Sequence, residues 1–145
     1  MPTFHLNTGN SHRSLESLSS FTQGYIEAMF FTNCDTVDDE EDRANRLGLS
    51  RLTKASLKAI SRDCESFLST LMPDGCFAQQ WIDRAEGYDT EQAGRDFWFT
   101  RQGHGVGFWD REELKAHGIG EALTKVARSF GEAYPEFYRG WIYYR

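Results

Sequence analysis

Between Gly94 and Arg111 the chain gathers most of the side-chain types that can move protons or hold charge. The segment is Gly-Arg-Asp-Phe-Trp-Phe-Thr-Arg-Gln-Gly-His-Gly-Val-Gly-Phe-Trp-Asp-Arg. An imidazole, His104, stands among the carboxylates Asp96 and Asp110 and the guanidinium groups of Arg95, Arg101 and Arg111, and such groups can serve as general acids and bases. A small hydrolase-like site at His104, Asp96 and Asp110 is therefore one reading. It lacks a nucleophile, because no Ser or Cys lies in the segment and a lone histidine at a turn needs a titratable partner in defined geometry. The other reading gives these residues structural or recognition work: the aspartates cap backbone groups or pair with the three arginines. Gly103, Gly105 and Gly107 do not form a phosphate loop, which would need G-x-G-x-x-G or a Lys-Ser/Thr ending before a helix.

Charge elsewhere supplies two further candidates. Asp35 to Asp42 holds six carboxylates in eight residues and nothing to pack, so it is expected to be a solvated loop. Asp38, Asp39, Glu40, Glu41 and Asp42 are also spaced to imitate a phosphate backbone and to dock in a basic cleft of another protein, with electrostatically steered association. A basic stretch follows, Arg43 to Arg62, which suits a nucleic-acid accessory role. The whole chain opposes that role: 16 basic against 22 acidic residues give a net charge of -6, which repels phosphate backbones.

No metal and no cofactor is expected. His5, His12, His104 and His117 are dispersed, Cys34, Cys64 and Cys76 lack zinc-type spacing, and the acidic run lacks the glycine and spaced oxygen donors of an EF-hand. Three cysteines without a C-x-x-C pair, and a start without the charged and apolar regions of a signal peptide, point to a reducing cytoplasm. The longest uninterrupted apolar run, Ala28 to Phe31, is far below a membrane span.

These groups must be positioned by the rest of a 145-residue chain, a length that suits one domain. Residues 1 to 17 have little periodicity and are expected to be a loose lead-in. Leu18, Phe21, Tyr25 and Met29, widened by Ile26 and Phe30, predict a helix capped at Ser19 or Ser20. Leu57, Ile60, Cys64, Phe67, Leu68 and Leu71 predict a second, capped near Thr53 and stopped by Pro73-Asp74-Gly75. Phe77 to Ala85 is a third, with Trp81 and Ile82 inward. Leu123, Val126, Ala127 and Phe130 define a fourth, closed by Gly131. The aromatic runs on either side of Gly103 to Gly107 predict a β-hairpin over 96 to 110, and Trp141 to Tyr144 a third strand beside it. The expected fold class is α+β, three or four helices on a small antiparallel sheet.

The hairpin segment resembles a family of small bacteriophage and mobile-element proteins. These carry a stretch close to G-H-D-F-W-L-T-R-N-G-H-G-A-G-F-W-D-R, a following helix rich in Leu, Ala and Gly, and a terminal G-x-I-Y strand. Gly94 to Arg111, Leu123 to Gly131 and Gly140 to Tyr143 carry the likeness; Tyr25 to Thr32 and Asp63 to Leu68 carry it more loosely. Arg95 replaces the family's His and Gln102 its Asn. Most members have no assigned activity, so the resemblance implies a phage or mobile-element origin rather than a reaction. Together with the acidity and the missing nucleophile, it points to a non-enzymatic protein that binds a host protein, such as an inhibitor of a bacterial defence system. Besides Asp38 to Asp42, the expected contact residues are Trp98, Arg101, His104, Trp109 and Trp141, since aromatic side chains on an uncovered sheet face make binding surfaces.

Overall fold

The computed structural model describes residues 18–32, 52–139 and 141–144. The lead-in, the acidic run with Asp38, Asp39, Glu40, Glu41 and Asp42, and the basic positions from Arg43 to Arg51 lie outside them.

Helix α1, Ser20–Thr32, begins where Ser19 Oγ accepts the Thr22 N–H at 3.2 Å. Its apolar residues run round nearly the whole circumference, and Phe21, Tyr25, Ile26, Ala28, Met29 and Phe30 are all buried. Helix α2, Lys54–Leu68, is capped by Thr53, whose side chain accepts from Ser56 N. Its stripe of Ile60, Cys64 and Phe67 faces the core, as the spacing predicts; Leu71 lies past the helix end and is exposed. Helix α3, Ala78–Arg84, is short and buries Ile82.

Residues 90 to 101 overturn the expected hairpin. Thr90–Arg101 is a helix, α4, capped by Asp89, which accepts from Gln92 N. It lies along α1, and the contact is so close that a Cβ on Gly94 would overlap the Phe21 carbonyl and one on Gly24 the Glu91 carbonyl. Two backbones can approach to that distance only where both side chains are absent. The glycines after α4 lead not into a second strand but into a turn of 3-10 helix, Phe108–Asp110. Helix α5, Ile119–Ser129, follows and ends at Gly131, whose φ of 71° is the left-handed stop its position predicts.

The strand expected at 141 to 144 exists as β2, Trp141–Tyr143, but its partner is the adjacent β1, Glu136–Tyr138, in a short antiparallel hairpin with Tyr138 opposite Trp141 and Glu136 opposite Tyr143. The far edge of β2 makes one parallel bridge, Leu52 to Ile142. The protein is therefore mainly helical, and the α+β arrangement of helices on an antiparallel sheet is incorrect. Its core is aromatic: Phe67 stacks on Phe97 at 4.3 Å and on Phe21 and Phe108 at 5.5 Å, while Phe130 meets Phe97 edge-on.

Candidate functional site

Helix α4 turns the charged half of the motif inward. Asp96 sits on its buried side with 0% exposure and is bonded on both oxygens. Tyr88 Oη donates at 2.5 Å and Gln92 Nε2 at 3.1 Å, and Arg111 closes a fork through Nε at 2.9 Å and Nη2 at 2.8 Å. A planar guanidinium matched to a carboxylate in this way is among the stronger polar contacts available to a protein. Its physical consequences run through the neighbours. The Tyr88 hydroxyl is pushed well above its ordinary value, by burial first and by the Asp96 charge second, and Arg111 holds its proton more tightly because of its hydrogen bond to Asp96.

Arg101, one of the expected contact residues, is also internal. Its Nε donates to the Gly131 carbonyl at 2.8 Å, and Nη1 reaches Asp63 at 2.9 Å, Tyr144 at 2.9 Å and Tyr25 at 3.1 Å. Nη2 donates to the Phe130 carbonyl at 3.3 Å. Tyr144 gives its own proton to Asp63 at 2.7 Å, so the 2.6 Å contact between the two tyrosines has Tyr25 as donor. Burial by itself would make Arg101 a weaker base; Tyr25, Tyr144 and Asp63 reverse that. Both tyrosine hydroxyls are raised, chiefly by burial.

The residues of the expected acid–base site are thus separated by role. Asp96 is consumed by the Tyr88, Gln92 and Arg111 bonds, Asp110 is exposed at the end of the 3-10 turn, and His104 is exposed with its ring edge-on to Phe99 at 5.7 Å. Trp98 is 2% exposed, its Nε1 bonded to Thr32 Oγ1 at 3.0 Å, and belongs to the core. The reason is the same for Trp98, Asp96 and Arg101: a helix packed on several sides leaves no open sheet face for them to occupy. Of the basic stretch, Lys54, Lys58 and Arg62 lie along the exposed side of α2. Among the described residues no three His, Cys, Asp or Glu side chains gather as a metal would require.

Among the described residues, two surfaces bring exposed or half-buried aromatic side chains together with arginine or lysine. On the C-terminal hairpin, Tyr138, Trp141 and Tyr143 share the face opposite buried Ile142, and Tyr134 adjoins them in sequence. Tyr134 is 62% exposed, Tyr138 54% and Trp141 40%, and the Arg139 guanidinium lies 5.2 Å from the Tyr138 ring centre. The second surface is a groove of about 500 Å³ lined by Trp109, Glu121, Thr124, Lys125 and Arg128, in which Arg128 lies over the Trp109 ring at 5.6 Å. Trp109 and Trp141 are among the contact residues expected from sequence; Tyr138, Tyr143, Lys125 and Arg128 are not. The signals for them were the Tyr138-x-x-Trp141-x-Tyr143 spacing across a tight turn and the three-residue step from Lys125 to Arg128 along one helix face. Neither family models, nor curated proteins, nor solved structures give a match to this chain.

Proposed function

We propose that this protein is a non-enzymatic binding protein that acts on another protein through the aromatic face of its C-terminal hairpin. In the phage or mobile-element setting implied by the resemblance, the partner is a host protein, such as a component of a bacterial defence system. The observation that carries this reading is the outward placement of Tyr138, Trp141 and Tyr143 together on a hairpin whose other face is anchored by buried Ile142. Large aromatic side chains supply contact area with little entropy to lose, and tyrosine and tryptophan dominate binding hot spots. The hydrolase-like alternative loses its support because Asp96 is fully bonded within the fold.

The test is capture of a partner from bacterial lysate, followed by affinity measurement on the purified pair. Tyr138→Ser and Trp141→Ser should each weaken the complex by about thirtyfold or more, the scale of a hot-spot loss of about 2 kcal/mol. Their thermal unfolding should stay close to the parent's. Unchanged affinity in both variants would remove the hairpin as the contact. Turnover of an ester, peptide or nucleotide that disappears in His104→Ala would replace the binding reading with an enzymatic one.

A further inference from the structure

We infer that the groove between the Phe108–Asp110 turn and α5 is a binding site for a free nucleotide, a planar base carrying a phosphate. Its volume of about 500 Å³ lies in the usual range of small-molecule sites, roughly 300–1,000 Å³. A second hollow of about 300 Å³ shares Trp109 and Glu121 with it, so the concave region extends past the indole.

Trp109 is a fixed platform. A Cβ on Gly107 would overlap its six-membered ring, so the glycine is what lets the indole lie against the backbone there. The Arg128 guanidinium seated over the ring shows that its π surface already receives a flat cationic group. Lys125 and Arg128 stand three residues apart on the same side of α5 and are both exposed. Among the described residues neither closes an ion pair with a carboxylate, although Glu121 is placed four residues before Lys125, where a pair would ordinarily form. Arg95, Arg101 and Arg111, by contrast, are all ion-paired to carboxylates.

An aromatic ring that carries one cation and is flanked by a second, neither of them ion-paired to a carboxylate among the described residues, selects a ligand that joins a flat ring to an anion. Bases stack on aromatic side chains whatever their identity, and Lys and Arg take the phosphate. Glu121 on the same wall can accept from a ribose hydroxyl or a base amino group, and it repels a phosphate that arrives alone. A nucleic-acid strand shares this chemistry but fits less well: two cations offer a polymer little, and the net charge of -6 opposes it.

The experiment is a titration of the full chain, followed by amide and indole N–H chemical shifts, with AMP, adenosine, inorganic phosphate and a ten-nucleotide thymidine oligomer as separate probes. AMP should saturate and move the Trp109 indole and the α5 amides, with an affinity at least tenfold above adenosine or phosphate. Arg128→Gln and Lys125→Gln should each weaken AMP by roughly tenfold, the usual scale for one charged hydrogen bond. Lys54→Gln, on the exposed side of α2, should leave AMP binding unchanged. Absence of saturation below about 1 mM AMP, the weak end of the affinity scale, overturns the inference, as does unaltered affinity in both α5 variants. Tighter binding of the oligomer than of AMP overturns the free-nucleotide assignment in favour of a strand.

Discussion

Arg101 and Arg128 make the same kind of contact, one 5.5 Å from the Phe97 ring centre and the other 5.6 Å from that of Trp109. They do opposite work. Arg101 is enclosed, and its donors are matched to Asp63, two tyrosine hydroxyls and two carbonyls, so that the cation binds together α1, α2, α4 and the ends of α5 and β2. Arg128 is exposed and keeps no carboxylate among the described residues. A ring and a guanidinium therefore do not by themselves mark a site. What separates a structural knot from a binding surface is whether the donors left over after stacking have been satisfied, since an enclosed donor without a partner is costly and an exposed one is served by water or by a ligand.

The largest effects should come from breaking the enclosed side of this contrast. Asp96→Ala, which leaves the Arg111 guanidinium without its fork, and Arg101→Ala should each cost about 3–5 kcal/mol, the range for removing one partner of a buried ion pair. Denaturant unfolding measures it; a loss below about 1 kcal/mol for either would place that arginine among the surface pairs. Trp98→Phe deletes the Nε1 bond to Thr32 and leaves the space of the pyrrole ring empty, and should cost about 2 kcal/mol, one hydrogen bond plus a small core cavity.

An alkaline titration sharpens the same division. Burial pushes the Cys64 thiol up to about 12 from 9.0, and Tyr25, Tyr88 and Tyr144 are raised above their ordinary value of 10.0. Each group holds its proton more tightly folded than unfolded. Their stabilisation is complete below the unfolded values and is lost as pH climbs from about 9 towards the folded ones. Stability should thus fall steadily above pH 9, and Cys64→Ala should make the fall between pH 9 and 12 shallower by up to about 1.4 kcal/mol per pH unit, one proton's worth. Identical slopes would mean that Cys64 is not desolvated. The smallest effect belongs to His104→Ala, expected to change stability by no more than about 0.5 kcal/mol because the ring is exposed and meets Phe99 edge-on at the surface.

Helices with one apolar stripe were legible from sequence, and those buried on several sides were not. α2 and α5 show the spacing of a single buried face, and their caps at Thr53 and Gly131 stand where the residue types place them. α4 has no such contrast: Ala93, Phe97, Trp98, Phe99 and Thr100 are all buried, so the helical period vanishes and consecutive aromatic residues imitate a strand. Local signals did exist. Asp89 ahead of Gln92 is a capping pattern, Glu91 and Arg95 are spaced as a helical ion pair at 2.9 Å, and Gly103 with φ 73° is a helix stop. The glycine-rich turn outweighed them. The pairing of Asp96 with Arg111 was among the expected alternatives, whereas Arg101 was placed at the surface because its partners Asp63, Tyr25 and Tyr144 are far away in sequence, and only tertiary packing brings them together.

Tyr144 joins partners far from it along the chain: its amide donates to Ser56 Oγ, and its hydroxyl meets Asp63, Tyr25 and Arg101. During synthesis α1, α2 and α4 all emerge before it. A nascent chain that has made everything up to β1 still lacks the hydroxyl that joins Tyr25 to Asp63, and Arg101 has one acceptor fewer. The early helices consequently spend that interval with a polar cluster incomplete inside an aromatic core. Contacts of such long sequence separation close late and slowly. Closure of the Arg101 cluster therefore waits on contacts of long sequence separation, and until they form the early helices keep apolar surface uncovered.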